Sequence, residues 1–362
     1  MFNFKNLSEE DIKNRNVFLR ADLDVPLKKE DGETKIADST RLKAWLPTLE
    51  LILKNQGNLT IGGHLGRPKQ QISFLDSKSS ISKVDKEFSL QPVAEWLKHK
   101  LELQNKLTLC QKNGFYGWEL TGNLFFLENL RFYKEEEENN LEFAKKLAKG
   151  FDIYVNDAFA SCHRANTSIA AMPTLLQHFA GLRLKEEVKV LSSVLENPKR
   201  PLTVVIGGAK VETKLPVVSK MLDIADCILV GGEIAAHATT ILDTYKEYQG
   251  GKTTLLIADL IPSGKEITEQ SIDKFLPKIY ASRTVVWNGP MGFFEGGFEK
   301  ATLELANAII KSDAYSVIGG GDTLSFLKKH NLLDKFSFAS TGGGAMLDFL
   351  AGQKMPGLEV LV

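Results

Sequence analysis

The stretch RLKEEVKVLSSVLENPKRPLTVVIGGAKVETK, Arg183 to Lys214, holds the alternation from which the fold can be read. Leu184, Val188, Leu191 and Leu195 recur at spacings of four and three, which predicts an amphipathic helix, and Asn197-Pro198 ends it. TVVIGG follows, a β-branched run of strand length closed by glycines. Lys210 and Lys214 then stand four apart on what reads as a first helical turn, so both can reach one ligand. Helix, strand, glycine turn and helix in this order predict βαβ units around a parallel sheet.

The rhythm continues on either side. NVFLRADL, NLTIGGHL, LTLC, LFFLENL and IYVNDAF precede it, and CILVGG, TTLLIADL, TVVWNG, YSVIGG and FSFASTGGG follow. Nearly every run ends in Gly, Asn, Asp or His, the residues that face the ligand crevice at the carboxyl ends of an open α/β sheet. At 362 residues the chain exceeds the ~250–300 at which single cores stop growing, so two domains are predicted, with the helix after Arg183 as their connector. The tail has a helix stop at Gly352 and an apolar end expected to pack rather than dangle.

Bulk composition excludes several classes. Forty-five basic and 45 acidic residues leave no net charge, hence no global field for nucleic acid or anionic lipid. Cys110, Cys162 and Cys227 form neither a disulfide framework nor a zinc pattern and read as reduced thiols. No apolar run approaches the ~20 residues of a membrane span and the amino terminus has no signal-type core, so a cytoplasmic protein is expected. The acidic run Glu135–Asn140 reads as a solvated helix start. GGKTTLL, Gly250 to Leu256, imitates a phosphate loop, but Lys246 stands where its first glycine is needed. A helical pattern, AAHATTILDTYKEY, precedes it and a strand follows, the reverse of the required order. It reads as a turn into a strand.

Only nine of the basic residues are arginine, the side chain suited to bidentate contact with carboxylate or phosphate. Arg41, Arg67, Arg131 and Arg164 sit at strand ends or loops beside Asp22, Asp24, His64, and Asp157 with His163. If these ends converge they make a cationic pocket for a small, multiply anionic ligand. A hydrogen-bonded structural imidazole is the competing reading of His64 and His163, and neither has metal-ligand spacing. The second half carries glycine-rich ends instead: IGGAK (206–210), VGGE (230–233), WNGPMG (287–292), IGGGDT (318–323) and STGGGA (340–345). IGGGDTLSFL reads as strand, glycine turn and helix N-terminus, an anion site with Asp322 placed for magnesium. Tight turns alone are the competing reading. Guanidinium groups in one lobe, and glycine turns with lysines in the other, suggest phosphoryl transfer in a cleft that closes against water.

VFLRADLDVPL, GHLGRP, FLENLRF, YVNDAFASCHRA, VIGGAKVETKL, TVVWNGPMGFFE, SVIGGGDT and STGGGAMLDFLAGQKMPGLEVL, in this order, resemble phosphoglycerate kinase along the whole chain. The resemblance implies two Rossmann-like, doubly wound parallel-sheet domains joined by a hinge helix, and a monomer. Here they would span 1–172 and 201–349, with hinge and helix at 173–200 and the tail 350–362 returning to the first domain. It implies reversible transfer of phosphate between 1,3-bisphosphoglycerate and ADP, giving 3-phosphoglycerate and ATP, with Mg2+. Asp22, Asp24, Arg41, His64, Arg67, Arg131 and Arg164 would hold 3-phosphoglycerate. Arg41, Lys210 and Gly321 would act on the migrating group. Gly207, Gly208, Gly231, Gly232, Lys210, Lys214, Asn288, Gly319, Gly320, Gly321 and Thr323 would lie along the nucleotide, with Glu295 on its ribose and Asp322 on the metal.

The chain departs from the family pattern at three places. Asp24 replaces an Asn, exchanging an amide that can donate for a carboxylate that cannot. Glu233 and Ala236 to Ala238 replace a glycine and Asn-Thr-Phe, and IPSGKEITEQS (261–271) replaces an Asp-Ile-Gly-Pro loop; both changes fall near the expected adenosine pocket. A non-catalytic or nucleotide-altered binding protein on the same fold is the alternative they raise. A dinucleotide-dependent oxidoreductase fits the rhythm but lacks a G-x-G-x-x-G between strand and helix.

Overall fold

The β-branched runs become strands buried on both faces, as a parallel sheet covered by helices requires. LTVVI and TVVWN, for example, are buried at every position. In the computed structural model, which describes residues 2–74, 81–237, 240, 243 and 253–362, the chain divides into two units. One holds the residues up to Glu187 together with Met355–Val362, and the other Val188–Lys354.

The first unit contains β1 (Asn16–Arg20), a two-stranded hairpin of β2 (Leu27–Glu30) and β3 (Glu33–Ile36), β4 (Asn58–Gly62), β5 (Leu109–Lys112), β6 (Phe115–Thr121), β7 (Leu124–Leu127), β8 (Ile153–Asn156) and β9 (Gln177–Ala180). Apart from the hairpin these form one sheet ordered β5-β6-β7-β4-β1-β8-β9. The run from β7 to β9 is parallel, while β5 and β6 add an antiparallel edge. LTLC, read above as one of the strand runs, contributes Leu109 and Cys110 to an edge strand exposed along its length.

The second unit contains β10 (Leu202–Ile206), β11 (Cys227–Val230), β12 (Thr254–Ile257), β13 (Thr284–Asn288), β14 (Tyr315–Gly319) and β15 (Phe338–Ala339), all parallel in the order β12-β11-β10-β13-β14-β15. Counted within the unit this is 3-2-1-4-5-6, the Rossmann order, and the parallel core of the first sheet is 3-2-1-4-5. Both sheets therefore reverse direction beside their first strand: between β1 and β8, and between β10 and β13. Ligand crevices are expected there.

The helix Leu182–Glu196 buries Leu184, Val188 and Leu191 as its period predicts, while in the last turn Val194 is buried and Leu195 only half-buried. The partition between the units falls inside it. Of GGKTTLL, Thr254 to Leu256 belong to β12, paired with β11 from Cys227↔Thr254. Gly250 to Lys252 and most of the preceding helical pattern lie outside the described residues, beyond a 3-10 turn at Glu233–His237.

The acidic run corrects a sequence expectation in part: Glu137, Glu138 and Asn139 are exposed as expected, but the two residues before them are not. Glu135 and Glu136 are each 1% exposed. Glu135 accepts from the hydroxyl of Ser73 and from Phe74 N–H, and Glu136 from Ser168 Oγ at 2.5 Å and Ser168 N–H at 2.9 Å. Buried carboxylates persist only with such partners. The chain end is also fixed: Gly357 N–H donates to Cys162 O at 2.9 Å, and Asn156 Nδ2 to Gly357 O. A methyl group on Gly357 would stand 2.9 Å from Cys162 Cα. Among the described residues no helix is long and apolar enough to cross a membrane.

Candidate functional site

In the first unit, register alone assembles a basic crevice. Arg20 is level with Gly62 on one side and Asn156 on the other, so the segments leaving β1, β4 and β8 emerge together, beside the segment leaving β7. They carry Asp22 and Asp24, His64 to Arg67, Arg131, and Arg164. Glu128 and Asn129 fasten the loops: Glu128 accepts from Leu90 N–H and Ser89 Oγ, and Asn129 donates to Leu65 O and Phe88 O.

Asp22 is 4% exposed and neither of its carboxylate oxygens has a hydrogen-bond partner. Burial raises its pKa, partly opposed by Arg41, whose Nη1 stands 3.7 Å from Oδ1. The same Nη1 donates to Asp24 O at 3.0 Å. Asp24 Oδ1 accepts from Gly66 N–H at 2.9 Å, while Oδ2 faces His64 Nε2 at 3.8 Å. The substitution for Asn thus keeps the acceptor that holds the loop and changes the other atom. Arg131, 2% exposed, donates from Nη1 to Gly66 O at 2.7 Å. Burial first, then Arg164, pulls its pKa down to about 10, the signature of cations crowded in a desolvated place. Arg67 and Arg164 line an adjoining cleft of about 420 Å³ with Glu137 and Asn166, and Arg164 Nε donates to His163 Nε2 at 3.1 Å.

One correction and one addition concern this crevice. Asp157 does not serve a ligand: its Oδ1 accepts from Leu184 N–H at 2.8 Å, capping the helix Leu182–Glu196. Burial raises its pKa to about 7. Arg20, passed over in the sequence as a strand residue, is fully buried and donates to His64 Nδ1 at 2.9 Å. An arginine closing an apolar strand run was the available signal, since a buried guanidinium must find partners.

In the second unit the glycines have two roles. Gly207 N–H donates to Asn288 O, Gly208 N–H to Pro290 O, and Gly231 N–H to Ile206 O. These amides are already used, and the glycines serve to let three strand ends touch. A methyl group on Gly289 (φ 97°) would stand 2.1 Å from Gly207 O, and one on Gly232 (φ 66°) 2.6 Å from Gly208 N. The turn after β14 is different. Gly320 (φ 95°) precedes the helix Gly321–Lys329, whose N-terminus no side chain caps. A methyl group on Gly321 would meet nothing within 4 Å. Here the first amides and the helix dipole face open space, ready for an anion.

Lys214, 7% exposed, donates to the Asn288 carboxamide oxygen. Burial pulls its pKa down to about 8, opposed by Asp322. Thr323 is buried, its hydroxyl accepting from Gly289 N–H at 2.8 Å, so it ties the β13 turn to the same helix N-terminus. Lys210 stands exposed at the N-cap position of the helix Val211–Met221. Beside these groups opens a cleft of about 680 Å³. Apolar Leu260, Pro290, Phe293 and Phe294 line it, with Glu233, Lys265, Glu295 and Asp322 as its charged groups. An apolar cleft with few polar groups suits an aromatic base. The departures noted in the sequence, Glu233, Ala236 and the Ser263–Lys265 segment, are on its wall.

Among the described residues no three His, Cys, Asp or Glu gather as metal ligands. Asp322, a single exposed carboxylate at the uncapped helix start, fits a magnesium ion that arrives with phosphates, since Mg2+ is commonly held by one or two carboxylates, substrate phosphates and water.

The family model described as phosphoglycerate kinase matches residues 7–260 and 239–353. A phosphoglycerate kinase of Leptospira biflexa is 35% identical, with 98% of each chain covered. One of Acidobacterium capsulatum is 36% identical over the same shares. Among solved structures, phosphoglycerate kinase from Coxiella burnetii superposes with a TM-score of 0.80 at 33% identity, covering 99% of both chains.

Proposed function

The chain belongs to the phosphoglycerate kinase family, and from that membership we propose that it transfers phosphate reversibly between 1,3-bisphosphoglycerate and ADP, forming 3-phosphoglycerate and ATP. A terminal oxygen of ADP forms the new bond to phosphorus, and the bond to the acyl oxygen breaks, releasing the carboxylate. Both oxygens are already ionised, so no side chain must act as a general base. Catalysis is then positioning and neutralisation of charge.

The observation that carries the reading is the gathering of Arg20, Arg41, Arg131 and Arg164 about His64, with Asp22, a buried carboxylate without a hydrogen-bond partner, 3.7 Å from Arg41. The cations suit the phosphate and carboxylate of 3-phosphoglycerate, and Asp22 suits its hydroxyl. Arg67 and Arg164 complete the substrate set. In the second unit Lys214, Asn288 and the Gly319–Gly321 turn are assigned to the nucleotide phosphates, Glu295 to the ribose, and Lys210 to the migrating group with Arg41 and Gly321. Asp322 would hold the magnesium, which supplies charge neutralisation on the phosphates. Gly207, Gly208, Gly231, Gly232 and Thr323 shape this site from beneath. The reaction requires both substrates to meet, and the helix Leu182–Glu196 is proposed as the hinge between domains 1–172 and 201–349. A cytoplasmic monomer without nucleic-acid or membrane partners completes the reading, supported by three unpaired cysteines and zero net charge. Nothing favours a non-catalytic role.

The test is consumption of magnesium ATP dependent on 3-phosphoglycerate, with the acyl phosphate trapped and GTP run in parallel. Turnover with either nucleotide supports the kinase reading, and their ratio reports what the altered cleft selects. Binding of 3-phosphoglycerate by folded protein without turnover contradicts it.

A further inference from the structure

His64 faces the crevice with one ring nitrogen and the protein interior with the other. On the interior side Arg20 Nη2 stands 2.9 Å from His64 Nδ1. A guanidinium can only donate, so Nδ1 must accept and the ring proton must sit on Nε2. Arg20 is itself held in place: Nη1 donates to Ala21 O at 2.7 Å and Nε to Ser168 Oγ at 2.8 Å. Ser168 Oγ in turn donates to Glu136 at 2.5 Å, and Ser168 N–H secures the other carboxylate oxygen. Three buried groups in series thus end on one imidazole.

We propose that Arg20 is a positioning residue, which with Ser168 and Glu136 behind it holds His64 as the neutral Nε2–H tautomer and aims that N–H at the anionic substrate. The inference rests on the kinase reading for the identity of the ligand. It also explains how the site tolerates Asp24. A protonated His64 would pair with Asp24 Oδ2, 3.8 Å from Nε2, and the site would neutralise itself. Every cation that faces the ring opposes that protonation: Arg20 from the end of β1, Arg41 from the helix Thr40–Lys54, Arg131 after β7 and Arg164 after β8. Burial, the largest cause, acts in the same direction, and the imidazole pKa falls well below its ordinary value. Asp24, whose Oδ1 accepts from Gly66 N–H, meets the ring through Oδ2 at 3.8 Å, beyond hydrogen-bond reach.

Histidine-15N-labelled protein gives the direct test, since long-range proton–nitrogen correlations distinguish the tautomers. His64 is expected as the Nε2–H form at neutral pH, unprotonated on mild acidification. In Arg20→Lys the fork is lost and the charge kept. Mixed tautomers are expected, with KM for 3-phosphoglycerate raised about tenfold, the worth of roughly one hydrogen bond, and kcat little changed. Glu136→Gln, which loosens Ser168 without touching Arg20, is expected to shift His64 the same way by less and serves if the lysine variant does not fold. An Nδ1–H or imidazolium spectrum in the unaltered protein overturns the proposal. So does a folded Arg20→Lys protein with an unaltered His64 spectrum. Absence of turnover in the unaltered protein counts against the kinase reading alone, because the tautomer is read without turnover.

Discussion

The ammonium group of Lys214 donates to the carboxamide oxygen of Asn288, joining the first turn of a helix to a strand end 74 residues further along. The folded pKa, about 8 against an ordinary 10.5, means that the folded chain binds fewer protons than the unfolded chain between those values. This group's contribution to stability therefore rises as pH rises through about 8 to 10.5, and below about 8 its full cost is carried. Lys214→Met should accordingly resist urea better than the unaltered protein at pH 7, by ~1–3 kcal/mol, while losing turnover. Polyphosphate should restore the proton. Calorimetry of ATP binding near pH 9 in two buffers of different ionisation enthalpy should register proton uptake, and equal apparent enthalpies would contradict it.

Lys210 has the opposite surroundings, exposed and at an N-cap. Lys210→Ala should lower kcat by about 100-fold or more, the scale of one lost charge contact to a transition state, and leave 3-phosphoglycerate binding and melting temperature nearly unchanged. Equal losses in turnover and in substrate binding would rule out a role confined to the migrating group.

Asp24→Asn should keep the bond from Gly66 N–H, because the amide oxygen accepts as the carboxylate does. It removes a negative charge beside an anionic substrate. KM for 3-phosphoglycerate should fall severalfold, about 1 kcal/mol, with kcat unaffected. A rise in KM would show instead that the carboxylate organises the loop.

Asp157 gives a stability prediction of known sign. Burial raises its pKa from 3.8 to about 7, so the folded chain holds a proton that the unfolded chain has released. Its contribution is present at low pH and is lost as pH rises through about 4 to 7, at ~1.4 kcal/mol for each pH unit inside that window. Asp157→Asn should remove this slope from the unfolding free energy measured across the window. An unchanged profile would mean that the carboxyl is ionised in the folded protein.

Gly289 and Gly297 separate two kinds of glycine requirement. Both have positive φ, 97° and 88°. A methyl group at Gly297 meets nothing within 4 Å, whereas at Gly289 it meets Gly207 O at 2.1 Å. Gly297→Ala should cost about 1 kcal/mol from backbone strain, and Gly289→Ala several more from the clash. Comparable melting temperatures for the two variants would contradict the close contact of the strand ends.

The parts legible in the sequence are those with a local cause. LTVVI and TVVWN announce buried parallel strands by composition, and Leu182–Glu196 announces itself by period. Strand order was not legible, since pairing β10 with β13 rather than with β12 depends on residues far apart in the chain. Charge runs misled for the same reason. Glu135 and Glu136 look solvated until Ser73 and Ser168 arrive from elsewhere in the fold. Arg20 looks like an ordinary strand residue until His64 is beside it. Asp157 reads as a crevice carboxylate until the helix that it caps is built. The clustered Arg, Lys and Gly stretches stand out in the sequence because each residue type restricts the ligand chemistry or the backbone geometry that can follow.

Met355–Val362 belongs to the first unit, yet all of the second lies between it and the rest of that unit. A ribosome makes the chain from its amino end, so β1 to β9 exist long before Gly357 can reach Cys162. The unit translated first is therefore completed last. Until Leu358 and Leu361, both buried in the finished protein, leave the exit tunnel, the apolar surface they cover is open to solvent and to chaperones. A few residues removed from the carboxyl end should thus damage the half of the molecule that was made at the beginning.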